Sequence, residues 1–261
     1  ISILMMAVAV APMLAPALGG VLSDLFDWRA IFVFTVCFGS VAFTLVWLKF
    51  RETRMLAEDP IGADNAPGVR SLLRRPLFVV HALQSAFSMG LFFVFIASAP
   101  YVVVNLLGYS AIVYGFGSVA VSLGYIMGNL ISVRYAGRIG ADRMMFGGTL
   151  AALVFVTAMA GLFVAGFWSL WTIFIPGALA AVALGLSLPN AQAAAINAAP
   201  NAAGVASGIT GFLQLIVGAV AAQLVGAMLM TSPYPMAIGV VCLALLAFLA
   251  ALMSRYLTSR N

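Results

Sequence analysis

Charge is scarce in this chain. Only 7% of its 261 residues are Asp, Glu, Lys or Arg, against roughly 25% in a soluble globular domain. A water-soluble fold is thereby excluded, because too little polar surface remains to meet solvent. The groups that catalysis requires are scarcer still. There is one histidine, His81, and there are two cysteines, Cys37 and Cys242, far apart and without the spacing of a zinc site or redox pair; the expectation for both is a buried, inert thiol. No Asp or Glu falls inside any of the apolar runs described below. A membrane-embedded enzyme would need a metal cluster, a nucleophile with a base, or paired acids facing a cavity, and these residues offer none of them. Neither a metal nor a cofactor is expected.

What the chain has instead is hydrophobicity, at 64% of its residues. A helical span needs roughly 20 mainly apolar residues to cross about 30 Å of hydrocarbon. Such runs occur at about 1–22, 29–48, 76–104, 111–133, 144–165, 168–191, 204–229 and 235–254, which predicts an all-α polytopic membrane protein with eight transmembrane helices. Transmembrane strands would alternate apolar and polar residues over about 10-residue segments, and these runs do not. Pro100 predicts a break or kink in the third span rather than an additional helix. The sequence opens at Ile1 within an apolar run, without Met or a basic segment before it. It reads as neither a signal peptide nor a natural N-terminus, and four further spans are expected upstream.

Lys and Arg set orientation, because short cytoplasmic loops retain them. Lys49, Arg51, Arg54, Arg70, Arg74 and Arg75 share one loop, Arg134, Arg138 and Arg143 another, and Arg255 and Arg260 end the chain. With simple alternation all of these fall on one side, so the net charge of +5 reads as a topology signal and not as a nucleic-acid footprint. Residues 49–75 form the one substantial hydrophilic segment and separate two spans from six. The expected organisation is 1–48 as the last two helices of an N-terminal bundle, 49–75 as a cytoplasmic linker and 76–261 as a C-terminal six-helix bundle.

Intramembrane polar groups must face protein or water rather than lipid. His81, Gln84, Ser85, Ser88 and Ser98 fall in the third span, and Tyr114, Ser118, Ser122, Tyr125 and Asn129 in the fourth. Ser187, Asn190 and Gln192 fall in the sixth, and Ser207, Thr210, Gln214 and Gln223 in the seventh. The second, fifth and eighth spans contain no Asn, Gln or His and are expected at the periphery. The fourth-span residues recur at helical spacing and line one face. Two readings stand for that stripe: a substrate cavity, or hydrogen bonding between helices. The cavity reading takes Gln84, Ser88, Phe92, Phe95, Tyr114, Ser118, Ser122, Tyr125, Asn190, Thr210 and Gln214 as substrate-contacting residues. His81, near the basic end, reads as a water-exposed imidazole or a proton relay. Gly115 to Ala120 match a dinucleotide-binding pattern, but no βαβ unit surrounds them.

The first span contains Ala11-Pro12-Met13-Leu14-Ala15-Pro16-Ala17-Leu18-Gly19-Gly20. Small residues at 11, 15 and 19 permit close helix packing, with Gly124 or Gly128 of the fourth span as an expected neighbour, while Pro12 and Pro16 bend the segment. The run resembles the antiporter signature G-x-x-x-G-P-x-x-G-G of major facilitator drug exporters, with Ala11 and Ala15 in place of two glycines. Asp27-Trp28-Arg29-Ala30-Ile31-Phe32 resembles the G-W-R-x-I-F segment that opens their sixth helix, with Asp27 in place of Gly. Gly185 to Ala193 and Pro200 to Gly208 resemble the tenth-to-eleventh helix region of the Bcr/CflA branch. The match covers nearly the whole chain as helices five to twelve.

The resemblance implies part of a twelve-helix fold that exports drugs or small metabolites across the bacterial inner membrane in exchange for protons, with Ala11, Pro12, Ala15, Pro16, Gly19 and Gly20 as its conformational motif. Expected partners are a small lipophilic substrate, protons and the lipid bilayer, with no nucleic acid and a monomeric state; linker and C-terminus are expected on the cytoplasmic side. The coupling carboxylate is expected upstream of Ile1. A passive facilitator of the same fold is the alternative. Gly137 to Arg143 either form an ordinary basic turn or place Asp142 among arginines as a gate.

Overall fold

The computed structural model of the chain describes residue 22 and residues 26–49, 68–229 and 232–260. The first predicted span, with its motif residues from Ala11 to Gly20, and most of the 49–75 linker lie outside those residues. Among the described residues seven helices are long and apolar enough to cross a membrane, and none of these residues forms a strand. The chain divides into two units, residues 10–66 and residues 1–9 with 67–261.

In the first unit, α1 runs from Trp28 to Lys49. Its hydroxyls bond back to their own helix, Thr35 Oγ1 donating to the Ile31 carbonyl and Thr44 Oγ1 to that of Ser40, both at 2.8 Å, so neither requires water. Asp27, just before the helix, has φ 121°, a conformation that glycine alone adopts readily. The resemblance places Gly at this position, and the backbone supplies the reason.

The second unit opens with the short helix α2, Val69–Leu72. Then come α3, Pro76–Tyr101, continued by a π turn at Val102–Leu106, and α4, Ala111–Ile139. They are followed by α5, Ala141–Val164, and α6, Leu170–Asn197. A 3₁₀ turn, Pro200–Ala202, leads into α7, Ala203–Met228, and α8, Tyr234–Arg260, ends the unit. Pro100 does not break the third span. The helix passes through it and then loosens, with Leu107 N–H bonding five residues back to the Val102 carbonyl at 3.0 Å. Proline removes one donor and crowds the preceding turn, and the wider winding absorbs the change beyond it.

Local chemistry sets the ends. Ser110 caps α4 by accepting from Val113 N–H, and Ser169 with Thr172 forms a capping box on α6. Between α4 and α5 the reversal takes place at Gly140 alone, with φ 94°. The helices outrun the apolar stretches at their basic ends, where Arg134, Arg138, Arg255 and Arg260 are all helical.

Two helices organise the unit: α3 packs against α6, α7 and α8, while α6 packs against α3, α4 and α5, and α5 also meets α8. Half of the membrane stretch of α3 and 56% of that of α6 are buried, against 28% for α4, 33% for α5, 22% for α7 and 39% for α8. The polar residues of α4 and α7 therefore did not mark them as more enclosed than α5 and α8. α4 turns a narrow polar stripe inward, and α7 buries Thr210 and Gln214 while Ser207 and Gln223 are exposed; both helices leave a broad apolar face outward, including Phe116 and Met127 of α4 and Phe212 and Leu224 of α7. Cys37 and Cys242 are both exposed, which corrects the expectation of buried thiols; a small apolar side chain is as much at ease on a lipid-compatible helix surface as in a core.

Candidate functional site

Helix α6 approaches its neighbours through glycine. A Cβ on Gly124 would lie 2.5 Å from the Ala178 carbonyl oxygen and one on Gly185 the same distance from that of Tyr125, while one on Gly128 would collide with the Val182 carbonyl. The helices α4 and α6 thus touch backbone to backbone, as small-residue packing allows in a membrane. Gly124 and Gly128 are thus taken up by α6; Ala15, their expected neighbour, lies outside the described residues. On the other flank of α6, a Cβ on Gly148 of α5 would meet the Ala183 carbonyl at 2.7 Å.

With α6 held this way, five aromatic residues gather where α3, α4 and α6 meet. Phe92 stacks on Tyr125 with centroids 5.9 Å apart, and Tyr114 on Phe174 at 6.3 Å. Phe95 lies over Gly177, where a Cβ would come within 2.9 Å of its ring. Phe92 and Phe95 also line an apolar void of about 10 Å³ with Leu91, Val121, Met159 and Leu184. That is barely one water, and the lining offers it no hydrogen bond. The interior of this unit is filled and dry at this point.

The remaining expected contacts scatter. Gln84 lies between α3 and α5, fully buried, its Nε2 donating to Thr149 Oγ1 at 3.0 Å while that hydroxyl donates to the Met145 carbonyl at 2.7 Å. Asn190 joins α6 to α4, its Nδ2 donating to Ser132 Oγ at 2.8 Å and to the Leu186 carbonyl at 2.7 Å. Ser88 is buried in α3 and Ser122 is half-buried in α4. Ser118 Oγ donates to the Gly115 carbonyl at 2.7 Å, and Thr210 Oγ1 to that of Ala206 at 2.8 Å. Gln214 is 7% exposed, on the buried face of α7, and its Nε2 has no hydrogen-bond partner among the described residues, a deficit that Gln84 shares only at its Oε1.

Residues that the sequence reading passed over complete these contacts. Thr149 and Ser132 were invisible as partners because an isolated hydroxyl in an apolar run bonds its own helix by default, and Phe174 because a lone aromatic in a span carries no positional signal.

At the basic end, His81, Asp142, Asn190, Asn197 and Thr258 line a polar recess of about 310 Å³. His81 is not water-exposed as expected. It is 7% exposed, its Nε2 lies 3.3 Å from Ser254 Oγ, and its Nδ1 is buried without a partner. Among the described residues Asp142 has no arginine within ion-pair distance, so the gate among arginines is not formed; the carboxylate lies instead in the first turn of α5, where the helix dipole favours it.

The sequence profile of the Major Facilitator Superfamily matches residues 1–222. The chain is 26% identical to a bicyclomycin resistance protein homolog of Haemophilus influenzae, an alignment covering 96% of this chain and 63% of that protein. It is 29% identical to an uncharacterized MFS-type transporter of Bacillus subtilis, covering 86% and 57%. It is 28% identical to multidrug resistance protein D of Escherichia coli, covering 85% and 56%. The chain spans about three-fifths of the length of these relatives.

Proposed function

This chain belongs to the Major Facilitator Superfamily, and from that premise we propose that it serves a secondary active exporter that carries drugs or small metabolites out across the bacterial inner membrane in exchange for protons. Residues 76–261 are its C-terminal bundle, 49–75 a cytoplasmic linker and 1–48 the last two helices of the N-terminal bundle. Transport proceeds by alternating access, the bundles rocking about a midplane site. Relatives named for bicyclomycin resistance and multidrug resistance favour drug-like cargo.

The observation that carries this reading is the filled interior around Phe92 and Phe95, with a void of only about 10 Å³. Drug-sized pockets need roughly 300 Å³ or more, so a solute has no room to thread this part of the bundle. It must pass along the bundle's surface, as movement between two bundles requires. The substrate wall comprises Tyr114, Ser118, Ser122 and Tyr125 of α4, with Phe92 and Phe95 behind them and Gln214 and Thr210 on α7. Gln84 and Asn190 fit the alternative of the sequence reading and tie helices together.

Proteoliposomes containing the full-length protein test the coupling. Efflux of a drug substrate should rise with an imposed pH gradient and drive the solute beyond equilibrium. Mere equilibration, indifferent to pH, would replace the exporter by a passive facilitator. Tyr125→Ala should change relative resistance across chemically diverse compounds, while Thr157→Ala, at an exposed position of α5, should leave it unchanged. For orientation, a cysteine placed at Ser232 should react with an impermeant external reagent in intact cells and one at Arg138 should not; the reverse pattern inverts the topology.

A further inference from the structure

We propose that Arg74, Arg75 and Arg260 form a binding site for a phosphate oxyanion, carried by the headgroup of an anionic phospholipid. The three arginines line a recess of about 510 Å³ together with Pro76, Leu77, Ala198 and Leu257. It draws on three separate parts of the chain: the approach to α3, the C-terminal end of α6 and the last turns of α8. Topology accounts for arginines at this end of the helices. It does not account for three of them converging on one hollow, and Arg255 is turned elsewhere, over the Phe146 ring at 4.3 Å.

Two of the guanidinium groups are positioned. Arg75 Nη1 donates to the Ala198 carbonyl at 3.1 Å, which uses one of five donors and leaves the rest of the fork available. Arg260 lies over the Tyr256 ring at 4.5 Å. Among the described residues no carboxylate lines the recess, and none of the three arginines has one within ion-pair distance. Like charges around one recess repel, and a phosphate there relieves this while accepting paired guanidinium N–H bonds. The remaining lining, Pro76, Leu77 and Leu257, is apolar and continues into membrane-spanning helices. A headgroup that brings its acyl chains along that surface fits this mixture better than a soluble phosphate does.

Native mass spectrometry of the purified protein, titrated with phosphatidylglycerol or phosphatidylcholine, tests the site. Phosphatidylglycerol should be retained preferentially. The triple variant Arg74→Gln/Arg75→Gln/Arg260→Gln should weaken retention on the order of a hundredfold, at about fivefold for each arginine near a charged headgroup. The triple Arg134→Gln/Arg138→Gln/Arg143→Gln removes the same charge elsewhere and should change retention less than about threefold on the same reasoning. If the first triple fails to fold, Arg260→Gln alone should still give roughly the fivefold loss. Displacement of the bound lipid by millimolar inorganic phosphate would assign the same site to a soluble phosphate. Equal losses in both triples, or equal retention of the two lipids with no displacement by phosphate, would overturn the proposal.

Discussion

The seam between α4 and α6 and the seam between α3 and α7 both rely on glycine, yet they are built differently. In the first, Gly124, Gly128 and Gly185 bring main chain against main chain, and Asn190 closes one end with a hydrogen bond to Ser132. In the second, Gly218 of α7 receives the ring of Phe93 from α3, and a Cβ on Gly90 of α3 would lie 3.1 Å from a Val217 methyl. A carbonyl oxygen cannot move without its helix, whereas a side chain can change rotamer. One seam is therefore rigid and polar groups in it are satisfied; the other has slack, and Gln214 beside it keeps an unpartnered amide nitrogen. The difference separates residues that hold the bundle together from residues free to meet a substrate.

The largest expected effect breaks the rigid seam. Gly128→Ala forces α4 away from Val182 and should lower stability by about 3 kcal/mol, at the upper end for overpacking. Thermal melting of the purified protein in detergent measures this, with Gly211→Ala, which has nothing within 4 Å of its added methyl, as the unaffected reference. Next comes Asn190→Leu, which removes the donor to the Ser132 hydroxyl and should cost about 2 kcal/mol. Gly218→Ala follows at about 1 kcal/mol, because the Phe93 ring can swing aside at the cost of rotamer strain. Should Gly218→Ala destabilise as much as Gly128→Ala, the contrast between the seams collapses. Smallest in stability is Gln214→Leu, expected within about 0.5 kcal/mol of the parent, since replacing an unsatisfied buried amide by an apolar group loses no bond. Its effect should appear in transport, as a changed ratio of resistance between polar and lipophilic drugs. An unchanged ratio would remove Gln214 from the substrate wall.

Apolar runs located each described span to within a few residues at its start, because hydrocarbon thickness dictates a minimum length regardless of packing. The ends were harder. The fourth span was expected to stop near 133 and the eighth near 254, yet the helices continue to Ile139 and Arg260. Hydropathy registers only the part within the membrane, while intrahelical hydrogen bonding continues past the interface until something like Gly140 stops it. Function was less legible than fold. Gln84 and Gln214 are the same residue type on spans expected to line a cavity, and one is bonded to Thr149 while the other has no partner for its nitrogen. What divides them is the rotation of each helix about its axis, which depends on where glycines allow a neighbour to approach. The glycines were visible in the sequence; their partners were not. Asp27 is a local case: the resemblance places Gly there, and the structure shows a φ of 121° that glycine adopts readily.

The π turn at Val102–Leu106 gives the third span a tolerance for changes in length. Hydrogen bonds reaching five residues back accommodate one more residue per turn than an α-helix holds, so the segment is equivalent to a helix with a single residue inserted. Deleting one residue there, such as the partly exposed Val104, would let ordinary winding resume and leave the flanking side chains facing as before. The same deletion around Phe93 would turn every later position by about 100° and carry Phe95 away from Gly177. Natural or engineered variants that differ in length within this span should therefore concentrate their gaps just beyond Pro100.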